Sequence, residues 1–96
     1  ISGGIKVALE RVEYLGSELP GVEEIAAVSL QDETWGERVG IAYVGSPEVA
    51  DDIANQLAHL LGPAGKPIRV LRVDKLPKLH TGKTDNRLVA QLFGQE

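Results

Sequence analysis

Residues Leu76-Pro77-Lys78-Leu79-His80-Thr81-Gly82-Lys83-Thr84-Asp85-Asn86-Arg87 place a glycine, a lysine and a threonine in a row within a run of cationic side chains. These residue types handle anions. A lysine ammonium is a compact point charge with three donors on a flexible stem, suited to a phosphate or a carboxylate. The glycine before it lets the backbone turn sharply without a Cβ clash. A phosphate-binding loop of the form G-x-x-x-x-G-K-S/T needs its first glycine five residues before Gly82, because successive backbone amides must wrap the phosphates. Pro77 stands there instead, without an amide hydrogen and with a locked torsion. That excludes the phosphate loop. Another anion site and a plain polar turn remain, with Lys83 carried between a strand and a helix.

Composition narrows the ligand. The 96-residue chain has a net charge of −4, and the charge is uneven along it. Residues 1–48 hold three Lys/Arg against nine Asp/Glu, and residues 49–96 hold seven against five. From Lys66 to Lys83 the cations Lys66, Arg69, Arg72, Lys75, Lys78 and Lys83 face one anion, Asp74. A local basic stretch on an acidic chain suits a defined anionic ligand rather than nucleic acid, the plainer alternative being a solvated basic edge. Tyr14, Trp35, Tyr43 and Phe93 are the four aromatics, too few for a platform on which bases stack.

The absence of cysteine removes disulfides, thiolate metal sites and a cysteine nucleophile. His59 among helix leucines and His80 in the polar stretch make neither a Ser-His-Asp set nor a histidine-rich metal cluster, so no metal site is expected. No apolar run approaches the roughly 20 residues that span a bilayer. The expectation is a protein without a membrane span, working in the cytoplasm. It begins Ile1-Ser2-Gly3-Gly4 and contains no methionine, which points to a piece of a longer polypeptide.

The elements that must position Lys83 follow from periodicity. Ala8, Val12, Leu15 and Leu19 form one apolar stripe, which predicts a helix over 8–19 ended by Pro20-Gly21. Residues 22–30 and 38–45 read as strands joined by a polar turn anchored by Trp35 and Gly36, antiparallel because the connection is short. Ser46-Pro47-Glu48 starts a helix, with Ser as N-cap and Pro in the first position, that runs through Ile53, Leu57, Leu60 and Leu61 to Gly62-Pro63. Residues 68–74 read as a half-buried strand, residues 76–84 as a polar loop, and Thr84 or Asp85 as the cap of a last helix bearing Leu88, Val89 and Leu92. The fold class is α+β: after a glycine-bearing segment come helix, strand, strand, helix, strand and helix, with a small, mainly antiparallel sheet. A single domain spans 1–96.

Three stretches in order resemble one family. Pro77, Lys78, Gly82 and Lys83 match P-K-T-x-x-G-K-x-x-R. Residues 2–13, SGGIKVALERVE, resemble S-G-G-x-x-I-x-P-x-E-V-E, and residues 20–39 resemble P-x-V-x-E-A-A-V-V-G-x-P-D-x-x-W-G-E-x-V. The chain is similar throughout to the small, mobile C-terminal domain of adenylate-forming enzymes: acyl-CoA synthetases, peptide-synthetase adenylation domains and luciferases. The resemblance implies a large N-terminal domain of the same enzyme as partner, which binds ATP, its Mg2+ and the acid.

It implies two steps as well. A carboxylate attacks the α-phosphate of ATP to give an acyl-adenylate and pyrophosphate, and a thiol then displaces AMP. Lys83 is implied as the catalytic lysine of the first step, with Gly82 shaping its loop. Gly3 and Gly4 are implied to line the path of the thiol arm after the domain rotates, and Lys6 to pair with a phosphate of coenzyme A. Leu9, Arg11 and Asn86 depart from the family pattern. A first helix without the proline and glutamate resembles o-succinylbenzoate-CoA ligases of actinobacterial type, in menaquinone biosynthesis. A carrier-protein thiol in place of CoA, and a small α+β binding module without catalytic part, are the alternatives; the fragment alone is expected to be inactive.

Overall fold

The computed structural model describes residues 8–34 and 36–94. The elements are α1 (Leu9–Ser17), β1 (Val22–Asp32), β2 (Gly36–Gly45), α2 (Ala50–Leu61), β3 (Arg69–Arg72) and α3 (Asn86–Gln91), with single 3-10 turns at Pro47–Val49 and Pro63–Gly65. The order is the expected one. The strands form one sheet, β1-β2-β3. The long β1–β2 ladder is antiparallel, running from Val22 opposite Gly45 to Asp32 opposite Gly36. The crossover through α2 brings β3 back parallel to β2 over four residue pairs, as a connection of this length allows.

Side chains alternate across the sheet and both faces are covered. On one face Ala27, Val39, Ile41 and Tyr43 pack with Val12 of α1 and Ile53 and Leu57 of α2. On the other, Ala26, Val28, Leu30 and Ala42 pack with Leu76, Val89 and Phe93. Gly40 opens the second layer for Leu30: a Cβ there would stand 2.5 Å from Leu30 Cδ1. β1 is an edge strand, and the outward amide of Ala27 donates to Glu13 Oε2 of α1 at 2.8 Å, which satisfies that edge amide and docks the helix.

Local details refine the expectations. Ser46 is the residue before the 3-10 turn but makes no side-chain cap. Its hydroxyl donates to the Glu48 carboxylate instead, and that bond holds the Glu48 carboxyl below the usual carboxylate range. The strand expected over 68–74 is shorter, Arg69–Arg72, with the Ile68 amide donating to Val39 O and the Val73 amide to Tyr43 O at its two ends. Gly36 opens β2 with φ 85°, in keeping with a turn there; Trp35, expected to share in it, lies outside the described residues.

Candidate functional site

The segment expected to be a polar loop is a closed hairpin. Lys78 and Thr84 bridge as antiparallel partners. The Leu79 amide donates to Lys83 O at 2.7 Å, the Gly82 amide to Leu79 O at 2.9 Å, and the Asp85 amide to Pro77 O at 2.8 Å. These are the bonds of a three-residue turn whose last residue takes the left-handed conformation. Gly82 is that residue, at φ 94°, so the glycine is required by the backbone itself. α3 begins directly after the hairpin. Asp85 Oδ1 accepts from the amides of Arg87 and Leu88, 3.2 Å each, as an N-cap does.

Cross-strand partners share a face of a hairpin and successive residues alternate. Leu79 and Lys83 therefore stand on one side, and Lys78 with Thr84 on the other. The second side looks onto the body of the domain, where Thr84 lines a hollow with Glu24 of β1 and with Glu10, Glu13 and Tyr14 of α1. The first side is open: Lys83 is exposed and Leu79 beside it is 44% exposed. Among the described residues the Lys83 ammonium has no hydrogen bond or ion pair.

The basic stretch divides in two. Arg69 lies over the Phe93 ring at 5.3 Å and donates to Phe93 O, tying β3 to the end of α3. Arg72 Nε donates to Gly45 O at 2.6 Å, and Lys78 pairs with Glu24 at 2.6 Å. Half of the expected anion-binding stretch is thus engaged within the domain, while the exposed side chains of Lys66, Lys75 and Lys83 remain available. His80 and His59 are exposed, and no group of three metal-ligating side chains occurs among the described residues. No helix among them is long and apolar enough to cross a membrane. Gly3, Gly4 and Lys6 lie outside the described residues.

Glu24 escaped the sequence reading. Its signal was present: a carboxylate at period two with Ala26, Val28 and Leu30, on a face otherwise committed to the core. A β-bulge between Val22 and Glu24 turns Val22 into the opposite layer, where it packs near Ile25. Glu24 keeps the face beneath the hairpin, the kind of re-aiming that bulges perform.

A model of the AMP-binding enzyme C-terminal domain family matches residues 11–83. A fatty acyl CoA synthetase structure from Mycobacterium tuberculosis superposes with a TM-score of 0.84 at 27% identity, over 97% of this chain and 19% of that one. Among curated relatives, a medium/long-chain-fatty-acid acyl-carrier-protein ligase of Mycobacterium tuberculosis is 30% identical over 91 residues, 86% of this chain and 17% of its own. A 2-succinylbenzoate-CoA ligase of Listeria monocytogenes is 34% identical over 85 residues, 86% of this chain and 18% of its own. The chain spans less than a fifth of the length of each of these proteins. With its whole fold matched and the family's pattern reaching as far as Lys83, the chain belongs to the AMP-binding enzyme C-terminal domain family.

Proposed function

We propose that residues 1–96 are the C-terminal lid domain of a longer acid-thiol ligase, which activates a carboxylic acid with ATP as the acyl-adenylate and passes the acyl group to coenzyme A in the cytoplasm. Lys83 is the residue of this chain that acts in the first step. Carboxylate and α-phosphate are both anions, and their approach gathers negative charge where they meet. A cation already in place lowers that barrier without reorganisation at the moment of reaction. The observation that carries this reading is the exposed Lys83 ammonium, without a partner among the described residues, on a hairpin closed by Gly82. The larger domain supplies the cleft with ATP, its Mg2+ and the acid. Gly3 and Gly4 are assigned to the passage of the thiol arm, since residues without side chains let it run against the backbone, and Lys6 to a phosphate of CoA.

The decisive experiment is ATP-pyrophosphate exchange by the full-length enzyme. Lys83→Ala is expected to lower it about 10²- to 10³-fold with the fold intact; an unaltered rate would leave a non-catalytic α+β binding module.

Two finer points have their own tests. The acyl-carrier-protein ligase among the relatives favours a carrier-protein thiol as the alternative acceptor, and Lys6→Ala separates the two by weakening use of CoA only if CoA is the acceptor. The similarity to a 2-succinylbenzoate-CoA ligase, with the altered first-helix pattern at Leu9 and Arg11, favours o-succinylbenzoate as the acid and menaquinone biosynthesis as the setting. Adenylate formation across a panel of carboxylic acids tests it: preference for a fatty acid or acetate would sink that assignment alone.

A further inference from the structure

The hairpin that carries Lys83 is fastened to the rest of the domain by its other lysine. Lys78 Nζ donates to Glu24 Oε1 at 2.6 Å across 54 residues of chain. The contact joins the first strand of the hairpin to β1, the edge strand, at the point where the bulge ends. The remaining hairpin bonds are internal to residues 77–85, and α3 below it has six residues. Without the pair, the hairpin is free to pivot about its base. A lysine on a long flexible stem gains catalytic power from the placement of its Cα, and a displacement of about 1 Å at such a group costs up to 10²-fold.

We propose that Glu24 and Lys78 are positioning residues for adenylate formation: their ion pair fixes the tilt of the hairpin and hence where Lys83 arrives. The assignment rests on the reading of Lys83 given above. The Lys78 and Glu24 side chains are 41% and 46% exposed, so the clamp is a partly screened one and weakens with salt. It serves the first half-reaction, the step that needs Lys83.

The test uses the full-length enzyme and four variants: Glu24→Gln, Lys78→Gln, the exchanged pair Glu24→Lys with Lys78→Glu, and Lys83→Ala. Each single neutral variant is expected to lower ATP-pyrophosphate exchange about 3- to 10-fold. The exchanged pair should recover most of that loss. Acyl transfer from a supplied acyl-adenylate to the thiol should stay at the parent rate, which a general loss of folded enzyme would not permit. Raising the salt concentration should slow the parent toward Glu24→Gln and leave Glu24→Gln nearly unchanged. Amide exchange at Leu79, Gly82 and Asp85 should accelerate in both neutral variants.

Parent-like pyrophosphate exchange in both neutral variants, alongside its loss in Lys83→Ala, overturns the clamp and leaves the Lys83 reading standing. If Lys83→Ala itself is parent-like, the Lys83 reading falls, and with it the catalytic part of the clamp; unchanged amide protection in the hairpin then removes the mechanical part too.

Discussion

Glu24 and Lys78, one on the edge strand and one on the hairpin, meet at 2.6 Å, while Lys83, five residues on, faces the other way with nothing to bind among the described residues. Two lysines of one short hairpin are thus separated by the pleat into an anchor and a free charge. Their substitutions should differ in kind.

Lys83→Ala is expected to leave the stability of the domain within about 0.5 kcal/mol of the parent, because the side chain is exposed and touches no core. Urea denaturation followed by circular dichroism checks this. A larger loss would mean that the lysine has a structural role in its own domain, contrary to its use in a neighbour's cleft.

Gly82→Ala should weaken the hairpin without any collision, since a Cβ there meets nothing within 4 Å. The strain is in the backbone at φ 94°, and costs about 1 to 2 kcal/mol for a residue with a side chain. Gly82→Asn, better tolerated in that conformation, should retain more pyrophosphate exchange than Gly82→Ala. Equal rates for the two variants would show that the turn does not govern delivery of the lysine.

Asp85→Ala removes the cap of α3. The loss is expected to be about 1 kcal/mol, read as a lower urea midpoint with an unchanged slope. Asp85→Asn or Asp85→Ser should recover much of it, since each keeps an oxygen for the Arg87 and Leu88 amides.

Tyr43 gives the fold an alkaline limit. Its hydroxyl donates to Ser46 O at 2.8 Å. Burial pushes its pKa up, partly opposed by Arg72 and reinforced by Glu48. A group with a raised folded-state pKa stabilises fully below its unfolded value, about 10 for tyrosine, and loses that contribution as pH rises through the folded value. Thermal melts should therefore fall above about pH 10 in the parent. In Tyr43→Phe that component of the fall should vanish, at a cost near neutrality of about 0.5 to 1.5 kcal/mol for the lost hydrogen bond.

What could be read before the structure was what is local. The stripe of Val12 and its helical neighbours, the apolar run of β2, Pro47 in the turn that leads into α2 and Gly62 just past its end, and the pairing of Gly82 with Lys83 all express preferences within a few residues. The parallel return of β3 was less legible, since periodicity locates a strand but not its direction. Residues 76–84 read only as a polar loop because the hairpin's bonds join backbone groups of Pro77, Leu79 and Gly82 that side-chain types do not reveal. Glu24 was hidden for a different reason. Its partner lies 54 positions away, and a bulge decides the face it takes.

The bond from the Asp85 amide to Pro77 O closes the foot of the hairpin, and α3 starts from that same residue with Val89 and Phe93 seated in the second layer. With Lys78 tied to Glu24 above that foot, the tip is a rigid lever rather than a tether. A charge mounted this way cannot be withdrawn by a wobble of its own stalk; removing it from a neighbour's cleft means turning everything beneath it at once.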